Sequence, residues 1–315
     1  MNASEIWTAY TQSPTYAKGT SQRRKEQVET IYGQFAEYAN DENVTPTMIY
    51  QWLVKRTATC SPKTYDEYLR IVRQVLKATM SVNGLSTNPA LEVPVKHKRS
   101  VSRKPYTREQ VNAVVQTAMK GKCTIPYSYK THGKTVVVDR PYDIPYGKEV
   151  ALTVLLGAYC GMRLGDAVSV TKDHYNDGFL AYTPSKTQVT SGAEVVVPVL
   201  HDALRDALER TRGALTPHLG EWHRRNPSTL CRLYKRVFEA CGLETQTERD
   251  GMRKASTGGF HALRHSYVTW SAEAGVPIDV VSSCVGHTST LTTSIYNHVS
   301  RQRKAQEMRK IMAGS

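Results

Sequence analysis

Between Gly259 and Tyr296 the chain places two histidines, an arginine and a tyrosine, in a stretch that opens GFHALRHSYVTW and closes VGHTSTLTTSIYNH. His261 and Arg264 are three residues apart, so on a helix they share nearly one face. Leu263, Tyr267, Val268 and Trp270 give that helix an apolar stripe with which to dock. Taken singly, each polar residue could simply cap the helix or decorate its wet side. Gly258-Gly259 before it and Gly275-Val276-Pro277 after it are boundary signals, and Pro277 suits the first turn of a following helix. His287 follows Gly286, and Thr288 or Ser289 could cap a further helix through Thr292 to Tyr296. The chain therefore reverses at least twice between His261 and Tyr296, which lets distant positions converge.

Two further cations lie upstream. Arg163, in CGMRLGDAVSV, comes directly after the strongly apolar helix expected over Glu149–Tyr159, so the core holds it, while Gly161 and Gly165 give its loop backbone freedom. Asp166 is placed to pair with it or to brace its loop. Lys186 stands near the turn of a hairpin whose strands are Phe179–Tyr182 and Val195–Val199. If Arg163, Lys186, His261, Arg264, His287 and Tyr296 meet around one phosphate, the two guanidiniums can neutralise the charge of a pentacoordinate transition state. Tyr296 then supplies the hydroxyl nucleophile, giving a covalent phosphotyrosine, and Lys186 protonates the leaving 5′ oxygen. His261 and His287 position groups, share protons or donate to the phosphate. This chemistry needs no metal and no cofactor, and no acidic cluster is present to hold magnesium. A zinc reading of His261, His265 and His287 is poor, because no cysteine or carboxylate is spaced to complete the site.

The composition agrees with a phosphate-bearing partner. The 315 residues carry 42 Lys and Arg against 28 Asp and Glu, a net charge of +14, which points first to nucleic acid. Six cysteines without a CxxC pair read as small buried hydrophobes of a reducing compartment. The longest apolar stretch, Val150 to Met162, is far short of the roughly 20 residues that span a bilayer. The opening MNASEIWTAYTQSP lacks a basic and then apolar signal. The expectation is a cytoplasmic, DNA-associated protein with no membrane contact.

Residues 1–18 show little periodicity and read as a flexible arm. From Thr20, Val28, Ile31, Tyr32, Phe35 and Tyr38 mark an amphipathic helix. A short helix follows over Thr47–Val54, and Ser61-Pro62 opens a longer one with Tyr65, Tyr68, Leu69, Val72, Val75, Leu76 and Met80 inward. Arg23, Arg24, Lys25, Lys63, Arg70 and Arg73 lie off these stripes, free for a solvated face or for phosphates. The segment PVKHKRSVSRKPYTR then supplies Lys96, Lys98, Arg99, Arg103 and Lys104 without an acid, a basic strap between two foldable units whose phosphate contacts would release counterions. Thr107 to Gln110 is a capping box that opens the next helix. Residues 121–148 read as a surface insert with a strand around KTVVVDR. Residues 200–212 are helical, Asn226-Pro227 opens another helix, and Arg224 and Arg225 just before it are further phosphate contacts. Thr245–Thr257 reads as loop.

Arg163 in GMRLGD, Lys186 in PSKT, His261 and Arg264 in HALRHSYVT, His287 in VGHTS and Tyr296 in TTSIYNH are each weak signals alone. In this order and spacing the chain resembles the tyrosine recombinases, or phage-type integrases, over nearly its whole length. The resemblance implies two domains: an all-α, SAM-like core-binding domain at 19–95, a basic linker at 96–106, and a mixed, mainly α catalytic domain with a small β-hairpin or sheet at 107–315, its tail at 300–315. This is the DNA breaking-rejoining fold. It implies a site-specific recombinase that cuts one strand per active protomer, holds a 3′-phosphotyrosine and exchanges strands through a Holliday junction. The implied partners are a double-stranded core site and three further protomers, in a tetramer on two duplexes assembled from a monomer or weak oligomer, with accessory DNA-bending or directionality proteins. Two other readings stay open at this point. One is a type IB topoisomerase, which religates the original strand, and the other is a sequence-specific DNA-binding protein without turnover.

Overall fold

The computed structural model describes residues 2–17, 21–82, 84, 86–96, 103–186, 188, 192–249 and 252–286. The chain divides into two compact units, one of residues 1–101 with 248–255, the other of residues 102–247 and onward from 256.

The first unit is helical: α1 (Ala3–Thr11), α2 (Pro14–Ala17), α3 (Gln22–Ala39), α4 (Pro46–Arg56) and α5 (Pro62–Thr79). The flexible arm expected over residues 1–18 is instead largely helix. Asn2 closes a capping box with Glu5, and Ala3, Ile6 and Tyr10 are buried in the core. Trp7 stacks on Tyr32 with ring centroids 5.5 Å apart. Three inward residues make too short a stripe for periodicity to register, yet each buried large side chain contributes about 1.5–3 kcal/mol. Thr45 and Ser61 cap α4 and α5 by accepting from the amides of Met48 and Thr64, each at 3.2 Å, with proline at the first turn of both helices. Phe35, Ile49, Trp52, Leu53, Tyr65, Leu69, Val72 and Leu76 fill the core between α3, α4 and α5.

The second unit is mixed and mainly α, as its sequence implies. It begins with α6 (Arg108–Lys120), opened by the Thr107–Gln110 capping box. Residues 121–148 form a long antiparallel ribbon, β1 (Lys122–Thr131) and β2 (Lys134–Asp143). Its turn, His132-Gly133, has both φ angles positive, as a tight two-residue hairpin requires.

At the centre runs α7 (Gly147–Tyr159), where Val150, Ala151, Val154, Leu155, Leu156 and Ala158 are all buried. After it come α8 (Leu164–Ala167) and an antiparallel sheet of β3 (Tyr175–Asn176), β4 (Phe179–Tyr182) and β5 (Val195–Pro198). The chain continues with α9 (Asp202–Arg210), α10 (Pro217–Arg225) and α11 (Pro227–Ala240). A two-stranded sheet of β6 (Gln246–Arg249) and β7 (Met252–Ser256) occupies the stretch expected as loop. β6 is wholly polar and β7 carries only Met252 and Ala255 as apolar residues, three apart, so no alternation betrays them. Finally α12 (Phe260–Glu273) packs on α7, and α13 (Ile278–Val285) packs on α12 and β5. Gly157 permits the close approach of α7 and α12, since a Cβ there would lie 2.9 Å from Leu263 Cδ1.

Candidate active site

The loop after α7 sets the geometry. Gly161 takes φ +64°, and a Cβ on it would lie 2.7 Å from Tyr267 Cδ1 and 2.8 Å from Val285 Cγ1. Met162 next to it is fully buried, so Arg163 leaves the core at a fixed point. Its Nη1 is buried, makes no hydrogen bond among the described residues, and lies 3.9 Å from Asp166 Oδ2. That separation is an electrostatic attraction rather than a hydrogen bond.

Asp166 is 3% exposed. Its Oδ1 accepts from Ser185 twice, from the backbone N at 2.9 Å and from Oγ at 2.7 Å. Ser185 immediately precedes Lys186, which stands exposed on the same turn. One carboxylate therefore joins the Arg163 loop to the lysine-bearing turn. Tyr182 at the end of β4 is buried beside them; burial first, then the Asp166 charge, raises its phenol above the ordinary range.

Arg264 is also 3% exposed. Its Nη1 donates to Gly161 O at 2.8 Å and its Nη2 donates to Val285 O. The guanidinium thus bridges the end of α7 and the end of α13, satisfying two buried carbonyls. The motif leads us to expect a phosphate ligand at this position; what the structure shows is a side chain that donates to these two carbonyls.

His261 lies in the first turn of α12, its ring centroid 5.3 Å from that of His265. Loss of solvent around the ring, then the neighbouring Arg103, His265, Arg264 and Arg163 charges, push its pKa down from 6.5 to about 3. The residue nevertheless keeps an exposed edge. Loss of solvent sets the direction and the surrounding cations reinforce it, so the imidazole is neutral at pH 7.

Tyr106 escaped the sequence reading. Its backbone N donates to Ser266 Oγ at 2.7 Å, and its hydroxyl accepts from Gly259 N at 2.7 Å. It stitches the segment after the basic strap to both faces of α12, and burial raises its phenol to about 12. A lone aromatic before a capping box carries no signal of that task. Beside His261 a cavity of about 350 Å³ is lined by Arg103, Arg232 and Lys235 among others, two of them cations of α11 that the sequence reading passed over.

His287 and Tyr296 lie outside the described residues, as do Lys98 and Arg99. Arg163, Asp166 and the turn that carries Lys186 are linked by the contacts above, Arg264 reaches the same loop through Gly161 O, and His261 is near enough for the Arg264 and Arg163 charges to act on its ring. The other expected phosphate contacts are dispersed. Arg23 and Lys63 are exposed, Arg24 pairs with Glu67 at 2.6 Å and Arg70 with the same carboxylate at 2.8 Å. Lys25 lies over the Tyr16 ring at 4.9 Å and Lys96 over Tyr65 at 4.4 Å. Arg73 turns inward and donates to the carbonyls of Ala90 and Val93 at 2.9 and 2.8 Å. Lys104 is exposed, and Arg224 and Arg225 end α10, Arg225 paired with Glu221. Among the described residues no His, Cys, Asp or Glu cluster could hold a metal ion, and no helix is long and apolar enough to cross a membrane.

The phage integrase family model matches residues 143–303 of the chain. A tyrosine recombinase of Pseudothermotoga lettingae is 26% identical over 162 residues, 49% of this chain and 51% of that protein, so the match spans about half the relative's length. Tyrosine recombinase XerA of Thermococcus kodakarensis is 28% identical over 256 residues, 78% of this chain and 76% of that protein. A crystal structure of a lambda integrase (75–356) dimer bound to a COC′ core site superposes with a TM-score of 0.65 at 16% identity, covering 95% of this chain and 96% of that one. At that identity the likeness is one of fold.

Proposed function

The chain belongs to the phage integrase family, and from that premise we propose that it is a site-specific DNA recombinase whose nucleophile is Tyr296. The observation that carries this reading is Arg163 Nη1, a buried donor with no hydrogen bond among the described residues, beside a carboxylate already tied to the Lys186 turn. A buried cationic donor without an acceptor calls for an explanation, and an anion held at this position would supply one.

In the proposed reaction, Tyr296 Oη attacks the scissile phosphorus as the P–O5′ bond breaks. Lys186 delivers a proton to the departing 5′ oxygen, leaving a 3′-phosphotyrosine and a free 5′ hydroxyl. The 5′ hydroxyl of a partner strand then attacks the phosphotyrosine and releases Tyr296. Arg163 and Arg264 hold the nonbridging oxygens, where charge builds. The neutral His261, with His287, positions the phosphate and shares protons. The helical first unit grips DNA as a core-binding domain across the boundaries 19–95, the basic strap at 96–106 follows the backbone, and four protomers act on two duplexes in the cytoplasm, with accessory proteins setting direction.

The test is incubation of the protein with genomic DNA, followed by denaturation and recovery of covalently bound fragments. A denaturation-resistant adduct is expected and should vanish in Tyr296→Phe. Supercoil relaxation without exchange between two sites would overturn the recombinase reading in favour of a topoisomerase. Tight binding without adduct would leave a DNA-binding protein.

A further inference from the structure

The ribbon β1–β2 has no part in the site described above. It is fixed at its base, where Cys123 and Tyr142 pack on the core of the second unit and Arg236 of α11 lies over the Tyr142 ring at 5.1 Å. Ile144 N donates to Gly121 O at 2.8 Å and closes that base. Eight register pairs continue beyond Cys123↔Tyr142, a further reach of about 26 Å at roughly 3.3 Å per residue. Most of this outer length is exposed: Tyr127 is 42% exposed, Tyr129 41% and Val137 63%.

The register decides what the ribbon presents. Pairs Cys123↔Tyr142, Ile125↔Arg140, Tyr127↔Val138, Tyr129↔Val136 and Thr131↔Lys134 alternate onto one face. Along that face, from base to tip, the polar groups run Tyr142, Arg140, Tyr127, Tyr129 and Lys134, with Ile125, Val138 and Val136 beside them. Arg140 lies 3.9 Å from the centroid of Tyr127, which in turn stacks on Tyr129. Lys130 and His132 add charge at the exposed tip, and no acidic residue occurs from Cys123 to Val138. A protein partner would be matched by an apolar face or by mixed charge. This face sets two cations and three phenols, with no acid, among three aliphatic side chains, and its one-signed charge beside hydroxyl donors suits a partner that is anionic along its length and rich in acceptors.

We propose that this face of the β1–β2 ribbon is a second DNA-docking surface, which engages the duplex outside the cleavage point. The proposal rests on the reading of the chain as a DNA recombinase. A two-stranded ribbon fits the major groove, and the lysines at its tip reach phosphates on either side. The ribbon leaves the protein at the start of α7, whereas Arg163 follows the end of that helix. The two ends are about 20 Å apart at 1.5 Å per residue, so the ribbon lengthens the duplex that one protomer covers.

The experiment measures the affinity of the full chain and of the double variant Lys134→Gln/Arg140→Gln for a long duplex across a salt series. The double variant should bind several-fold more weakly, with a salt dependence shallower by about 2 in the slope of log K against log salt. Tyr127→Ala/Tyr129→Ala should weaken binding with the slope unchanged. Circular dichroism confirms that each variant is folded. A double variant with the parent's affinity and slope overturns the ribbon proposal alone, whereas a parent that binds no duplex sinks the recombinase reading with it. Loss of self-association on DNA with slope and affinity intact would assign the ribbon to a contact between protomers, and would also overturn the proposal.

Discussion

Asp166 accepts two hydrogen bonds from Ser185, at 2.9 Å from its backbone N and 2.7 Å from its hydroxyl, and so fixes the residue next to Lys186. The same carboxylate attracts Arg163 at 3.9 Å. Asp166→Ala removes both constraints: it leaves the Ser185 amide and hydroxyl without their acceptor and the Arg163 guanidinium without its neighbouring negative charge. A loss of about 1–3 kcal/mol in chemical denaturation is expected, with adduct formation slowed at least tenfold. Ser185→Ala keeps the backbone bond and should cost less in both measurements.

Arg264→Ala strips Gly161 O and Val285 O of their donor. The expected outcome is DNA affinity close to that of the parent, no detectable adduct, and a stability loss of about 2–4 kcal/mol. Arg264→Lys reaches one carbonyl at most, so it should regain part of the stability and none of the cleavage. Equal losses of binding and cleavage would make Arg264 a structural strut alone.

The His261 shift makes stability depend on pH. Its pKa is depressed from 6.5 to about 3 in the folded chain, so the unfolded chain binds a proton first as pH falls. The stabilisation is complete above pH 6.5 and declines as pH drops from 6.5 toward 3. Denaturation midpoints across this window should fall more steeply for the parent than for His261→Gln. Solvent access at the ring edge keeps the difference modest.

Gly161→Ala introduces a Cβ into contact with Tyr267 and Val285 at a φ of +64°. The expected cost is about 1–3 kcal/mol, and because Gly161 also supplies an acceptor to Arg264, the adduct yield should fall with it. A thermal melt and a cleavage assay on the same preparation check both.

Tyr106→Phe deletes the hydroxyl that accepts from Gly259 N at the start of α12. Denaturation should show a loss of about 1 kcal/mol or slightly more. An unchanged midpoint would show that water replaces the hydroxyl at no cost.

The catalytic pattern was legible because its residues are individually out of place: a lone arginine after an apolar helix, and a histidine and arginine at helical spacing above a docked stripe. The helices α5, α6 and α7 were legible from long stripes and capping residues. What the sequence hid was use rather than position. Nothing in HALRHSYVT tells that Arg264 spends two donors on carbonyls, or that Arg73 faces inward to Ala90 and Val93 while Arg70 stays on the surface. Helix α1 was missed because three buried residues set no period, and β6–β7 because Met252 and Ala255, three apart, set no alternation. The ribbon showed only its Val136–Val138 run, since Pro126 and Pro141 interrupt the alternation on either side.

The bond from Arg264 to Val285 makes one side chain answerable to two places at once. Val285 is fully buried against Val268 and Val281, so whatever loosens the end of α13 is felt at the guanidinium, and whatever draws the guanidinium toward an anion is felt at the end of α13.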